Sequence, residues 1–377
     1  MKQVLYVIYA VLFYMYSLTP INKKKTTFIM THDASINGNI MKMYQKVKEE
    51  RPDEVCKFVT KKRLQQAKGF KRLVEEAKFV ISSAFHLATS KTIFLDNVFL
   101  PMAFMHFKKE VKVVQLWHGC NTLKKFGQLS NTGRLKVLEK RANSCYTHLM
   151  TSSTKMNKLH QETFGVSEDK IYALGLPRMD SFFEGPDKLQ KEKELFYQAY
   201  PQLRGKTLIL YAPTFRDNDL EITDKNMDLS QVIKKLPTDY VLMMRLHPFI
   251  SQRYKGANEE RVIDVSQYND LNRLLMVSDI LITDYSSVIF EYALLDKPII
   301  FYAYDQAAYG NQIRGFYYPY EEYVPGIIVR DKSQLIECLE KKAYLQYNYE
   351  GFVEGYLDYR DNASAERIYQ EIYGNEV

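Results

Sequence analysis

Two histidines stand at the ends of apolar runs, where an open α/β sheet presents its chemistry. His118 follows the run Val111 to Leu116, and Gly119 behind it lets backbone or substrate approach closely. A histidine presented in this way suits a general base; on position alone, one satisfied within the core fits equally well. Trp117, the single tryptophan, would wall the pocket beside it. His247 ends the run Val241 to Met244 with Arg245 two residues before it on the same strand face, and Pro248 stops the ladder. That pair reads as cations aimed at phosphate, and a second strand-end histidine weakens the plain core reading of either one.

Two further loops carry the same signature. After Leu208 to Tyr211, Pro213 ends the strand and Arg216 reaches onward as a candidate phosphate ligand. The following Asp217-Asn218-Asp219 spells a metal-nucleotide triplet, which we read as a solvated loop. The segment Asp279 to Glu291 runs from a buried strand through Asp284-Tyr285-Ser286-Ser287 into a helix. Free amides, two hydroxyls and a helix start make an anion cradle there, and the same serines also serve as plain helix caps. Glu291, one turn from Ser287, is placed to accept ribose hydroxyls or else lies on a solvated helix face.

The elements that must position these residues form two series. Thr26 to Met30, Val55 to Thr60, Phe79 to Ser82, Thr92 to Leu95, Val111 to Leu116 and Leu149 to Ser152 read as strands of one parallel sheet. Thr207 to Tyr211, Tyr240 to Leu246, Val262 to Val265, Asp279 to Thr283 and Pro298 to Tyr302 form a second, with helices such as Leu271 to Val277 and Ser287 to Leu294 between. The charged stretch Glu184 to Leu203 reads as the connection, and Ala363 to Tyr373 as a closing helix. The expected division is an N-terminal segment 1–25, an acceptor-side domain 26–190 and a donor-binding domain 191–377, their sheets facing a central cleft.

The chain has 377 residues, 46% hydrophobic and 26% charged, which suits two domains. Its 52 Lys plus Arg against 45 Asp plus Glu leave a net charge of +7, favouring anionic partners. Nucleic acid is excluded by the lack of an RNP-type motif, a Cys/His finger or a long basic run. The four cysteines lie far apart, so spacing suggests neither zinc nor a disulfide framework, and a reducing cytoplasm follows. Val4 to Leu18 is uncharged but too short for a clean span, at ~1.5 Å per residue against ~30 Å of hydrocarbon. As a helix it would set Tyr6, Tyr9, Phe13 and Tyr16 on one face, with Lys23 to Lys25 beyond, a grading that suits an anionic headgroup boundary. A first helix packed on the domain is the alternative.

No dinucleotide fingerprint, P-loop, zinc-protease helix or nucleophile elbow occurs in these contexts, which leaves nucleotide-diphosphate chemistry with no cofactor and no metal site. Trp117-His118-Gly119 with Leu123-Lys124-Lys125-Phe126-Gly127, Gly175-Leu176-Pro177-Arg178, Tyr211 through Arg216, Arg245-Leu246-His247-Pro248, and Thr283 through Ser287 with Lys297 through Tyr302 occur in order. Together they resemble the CDP-glycerol glycerophosphotransferase family of teichoic acid enzymes in Gram-positive bacteria. The resemblance implies a GT-B-like fold, peripheral attachment to the cytoplasmic face of the membrane, and CDP-glycerol as donor. It implies as acceptor an undecaprenyl-diphosphate-linked disaccharide of N-acetylmannosamine and N-acetylglucosamine. The chain length most resembles the family's glycerol-phosphate primases; ribitol-phosphate transfer, a later unit or polymerase step, and a nucleotide-sugar glycosyltransferase are the alternatives. By motif, His118 corresponds to the catalytic base and His247 to a second essential histidine at the transferred phosphate. Arg216, Arg245, Ser286 and Ser287 correspond to diphosphate ligands, with Asp284, Glu291, Thr214 and Pro213 completing the substrate-binding set. Cys120 and Asn121 stand where the family often carries other small or polar residues after the Trp-His pair.

Overall fold

The computed structural model describes residues 2–31, 38–61, 64, 66–120, 123–214, 227–246, 260–309 and 315–374. Two compact units emerge: 1–120 with 126–180 and 357–377, and 121–125 with 181–356.

Unit 1 holds a six-stranded sheet in the order β2-β1-β3-β4-β5-β6. Its strands are β1 (Asn22–Met30), β2 (Val55–Thr60), β3 (Ser90–Leu95), β4 (Lys112–Gln115), β5 (His148–Thr151) and β6 (Ile171–Ala173). All pair in parallel. Five consecutive residues from Lys25 to Ile29 are buried because helices cover both faces of a parallel sheet; the polar ones are paired, Lys25 Nζ with Thr89, Thr26 Oγ1 with Glu54 and Thr27 Oγ1 with Ser90. Phe28 sits at the centre, its ring stacked on Phe94 at 5.5 Å and on Phe58 at 5.4 Å.

Unit 2 repeats the plan in the order β12-β11-β10-β7-β8-β9. These are β7 (Thr207–Tyr211), β8 (Tyr240–Met244), β9 (Val262–Asp264), β10 (Ile280–Thr283), β11 (Ile299–Tyr302) and β12 (Ile327–Val329). In each sheet the strand order reverses once, between β1 and β3 and between β7 and β10. Such a switch point opens a crevice at the carboxyl ends of the strands.

Several sequence expectations are corrected. Phe79 to Ser82 is no strand but part of the helix Gly69–Thr89, whose buried Val80, Ala84 and Leu87 follow helical spacing. β6 and β12, three residues each, went unread. The stretch read as the connection forms the helix Pro186–Ala199, with Pro at its start.

The expected boundaries 1–25, 26–190 and 191–377 also differ from the observed units. The closing helix Ser364–Tyr373 belongs to unit 1 rather than to the C-terminal domain: Ile368, Ile372 and Tyr373 are buried, and the Tyr373 hydroxyl is 2.8 Å from Thr26 Oγ1. Asp180 takes the amides of Ser364 and Ala365 at 3.1 and 3.0 Å, anchoring that helix start. Leu123 to Lys125 join unit 2 through a bridge from Lys124 to Phe316 and a bond from the Lys125 amide to the Gly315 carbonyl.

The N-terminal stretch is the helix Lys2–Tyr16, packed on unit 1. Its aromatic face turns inward: Tyr9 meets Phe99, Phe13 meets Phe107 and Tyr16 meets Phe85, with ring centroids 5.1 to 5.8 Å apart. Val7, Ile8, Val11, Tyr14 and Met15 are left exposed. No helix among the described residues is long and apolar enough to cross a membrane.

Candidate active site

His118 lies three residues beyond β4, next to the β1/β3 switch point. Its Nδ1 is 3.0 Å from the Asp96 carbonyl oxygen, which can only accept. Nδ1 therefore carries the proton in the neutral ring, and Nε2 keeps the lone pair that a base requires. Asp96 is itself fixed, buried with Oδ1 accepting the Thr31 amide at 3.1 Å across the switch point.

The backbone at this place is held from every side. Trp117 adopts a φ of 56°, left-handed and costly by roughly 1–2 kcal/mol for a residue with a Cβ. The Trp117 amide donates to Gln115 Oε1 at 2.8 Å, and Asn39 Nδ2 donates to its carbonyl at 2.9 Å. Arg178 Nη1 donates to the His118 carbonyl at 2.8 Å, while the Arg178 amide donates to Asn39 Oδ1. The indole stacks on Phe126 at 5.0 Å and meets Phe164 edge-on. A strained turn held this firmly aims the imidazole that follows it. Trp117 thus backs the histidine, in line with its expected place in the pocket wall.

In unit 2 the residues after β7 and β10 come together. Asp284 is 1% exposed, and its Oδ1 accepts the Thr214 amide at 2.8 Å and the Tyr285 amide at 2.5 Å. Thr283 Oγ1 donates to the Ala212 carbonyl at 2.7 Å, a second staple beside the first. The carboxylate expected to touch substrate is thus occupied in joining two loops at the switch point. This is the same device as Asp96 with Thr31 in unit 1.

Ser286 and Ser287 stand half-buried at the start of the helix Val288–Tyr292, and among the described residues their amides take no partner. Glu291 is 2% exposed, held inside unit 2 and not on a solvated helix face. Pro213 ends β7 as expected. Arg245 lies just past β8, with Nη1 on the Tyr268 carbonyl at 2.8 Å. Arg216 and His247, with the Asp217-Asn218-Asp219 triplet and Asn121, lie outside the described residues.

Lys297, quoted within a motif, has a structural part. Its Nζ donates to the Met276 and Ser278 carbonyls at 2.7 Å each, satisfying the end of the helix Leu271–Val277. Burial lowers its pKa to about 8. Sequence reasoning missed Asp96, Asn39 and Gln115 and gave Arg178 no role. Asp96 had a readable signal, since it follows the apolar run Thr92 to Leu95 as His118 follows its own.

The sequence matches the family described as CDP-Glycerol:Poly(glycerophosphate) glycerophosphotransferase over residues 11–374. It is 32% identical to the teichoic acid ribitol-phosphate primase of Bacillus spizizenii, covering 93% of this chain and 91% of that protein. To the teichoic acid poly(ribitol-phosphate) polymerase of the same organism it is 33% identical over 95% of this chain, but it spans only 57% of that protein's length. The teichoic acid glycerol-phosphate primase of Bacillus subtilis is 33% identical over 77% of this chain and 75% of its own. Among solved structures, the wall teichoic acid polymerase TagF aligns with a TM-score of 0.82 at 24% identity, over 99% of this chain and 95% of that one. The fold is accordingly GT-B-like, with two Rossmann-like parallel-sheet units.

Proposed function

The chain belongs to the CDP-glycerol:poly(glycerophosphate) glycerophosphotransferase family, and from that premise we propose that it moves glycerol phosphate from CDP-glycerol to a lipid-linked disaccharide in teichoic acid synthesis. The observation that supports this reading is the His118 tautomer, fixed by the Asp96 carbonyl so that the lone pair a base needs lies on Nε2.

The reaction is an in-line displacement. A sugar hydroxyl of the acceptor attacks the β-phosphorus, the new P–O bond forms as the bond to the α-phosphate oxygen breaks, and CMP leaves. His118 Nε2 accepts the hydroxyl proton. Little covalent chemistry falls to the protein, so positioning and charge stabilisation supply most of the rate. Ser286 and Ser287 offer two amides and two hydroxyls to the diphosphate, with Arg216, Arg245 and His247 supplying positive charge and Glu291 addressing the ribose. Asp284, by contrast, acts by shaping the Thr214 and Tyr285 loops.

A primase step is supported by similarity to two primases, at 32% and 33% identity. The first of these favours a second reading, transfer of ribitol phosphate from CDP-ribitol. Incubation with CDP-glycerol or CDP-ribitol and a synthetic disaccharide lipid, followed by mass measurement of the product, tests both. One glycerol phosphate added supports the proposal; addition only from CDP-ribitol moves it to the second reading, and a ladder of products overturns the primase step. Peripheral attachment to the cytoplasmic leaflet is supported by the exposed apolar residues Val7, Ile8, Val11 and Met15 beside Phe70, Leu73 and Ile81 of the helix Gly69–Thr89.

A further inference from the structure

Unit 1 contains a cavity of about 460 Å³ away from His118. It is lined by Val111 and Thr147, which precede β4 and β5, so it opens at the amino ends of those strands. His118 lies at the opposite end of β4, with ~13 Å of strand between at ~3.3 Å per residue.

The lining is cationic. Lys108, Lys109 and Arg141 contribute, and among the described residues no carboxylate lines the cavity. Lys170 adds a further ammonium on its rim, donating to the Ser144 carbonyl at 3.3 Å. Among the described residues Lys109 and Arg141 form no ion pair, which leaves their charge for an outside ligand.

Three contacts tie this cavity to the N-terminal helix. The Tyr14 hydroxyl is 2.8 Å from His106 Nδ1, Lys108 Nζ donates to the Thr19 carbonyl, and Phe13 packs on Phe107. The helix turn that carries the exposed Val11 and Met15 therefore borders the cationic cavity directly. An apolar face that enters acyl chains and a cationic hollow beside it match the two parts of a phospholipid.

We propose that this cavity is a binding site for the phosphate headgroup of an anionic glycerophospholipid, engaged when the N-terminal helix lies on the leaflet. The inference rests on the peripheral membrane reading above and adds to it a defined site. Headgroup and free phosphate share the same chemistry, so the test must part them.

The full chain is floated with vesicles of phosphatidylcholine alone and of phosphatidylcholine mixed with phosphatidylglycerol. Its partners are the triple variant Lys108→Ala, Lys109→Ala, Arg141→Ala and a control triple, Lys191→Ala, Lys206→Ala, Lys235→Ala, which removes equal charge from the exposed surface of unit 2. Matching thermal melts establish that each variant is folded. Removing three surface cations from a headgroup site should lower partition onto the mixed vesicles by roughly 100-fold. The control triple should keep its partition, and binding to neutral vesicles should be the same for all three. An equal fall in both triples overturns the site in favour of diffuse attraction. Inorganic phosphate binding that the first triple abolishes, with vesicle partition unchanged, assigns the cavity to free phosphate instead. A wild-type chain that floats with no vesicle removes the membrane reading itself, and the headgroup site with it.

Discussion

At the scale of single residues, the account turns on which groups meet substrate and which hold others in place. Arg178 is a positioning residue, since its guanidinium ends on the His118 carbonyl. Arg178→Lys should lower kcat by up to about 10²-fold while leaving the donor KM unchanged, because a small misplacement of the base costs rate and not binding. An altered donor KM with full kcat would contradict that assignment. Asp284→Ala strips two amides of their acceptor, at about 1–3 kcal/mol each. Urea denaturation should show a fall of that order, with Asp284→Asn milder because an amide oxygen still accepts. The place of His118 was legible because it ends an apolar run, and residues there stand at the carboxyl edge of the sheet. The bonds from Asp284 to the Thr214 and Tyr285 amides were not readable, since no sequence pattern says whether a carboxylate faces a ligand or its own backbone. Arg178 was out of reach for the same reason: its target is a carbonyl 60 residues away.

At the scale of elements, the motif glycines act through backbone shape. Gly127 has a φ of 56° and a Cβ there would run into the Thr163 carbonyl oxygen; Gly175, at 89°, would run into Ser364. Gly127→Ala and Gly175→Ala should each destabilise unit 1 by more than the ~1–2 kcal/mol of a left-handed φ alone, read as a lowered Tm. Two half-buried histidines make these elements sensitive to acid. Burial, with Lys25 and Lys57 nearby, lowers the His86 pKa from 6.5 to about 4, and burial with Lys112 does the same to His148. Between those values the unfolded chain binds more protons than the folded one. The stability gained by keeping both rings neutral is whole above pH 6.5 and is lost as pH falls toward 4. Tm should decline across that interval, and the double variant His86→Gln, His148→Gln should decline less steeply; equal slopes would remove this explanation. The longer strands were readable since parallel strands are apolar on both faces, whereas Phe79 to Ser82 misled because a short apolar run looks alike in a buried strand and a half-buried helix.

At the scale of the whole molecule, two Rossmann-like sheets were predicted by alternation of apolar runs and amphipathic segments, and both are present. The boundary between units was not legible in detail. It depends on where the helix Ser364–Tyr373 docks, which is decided by tertiary partners such as Thr26 and Asp180 far away in sequence. Truncation at residue 363 should therefore unfold unit 1, exposing Ile368's partners, and leave the β7–β12 sheet less affected. Hydrogen exchange on the truncated chain would show this as lost protection in β1 rather than in β10.

The central claim is that His118 serves as base in transfer from a cytidine-diphosphate donor, and one paired measurement tests it most directly. CMP release in the presence of acceptor lipid and the donor Kd by calorimetry are compared for the wild-type chain and His118→Ala. Release should fall by about 10²–10⁴-fold in His118→Ala while the donor Kd holds. Turnover near the wild-type rate, or donor binding lost together with it, would contradict the account.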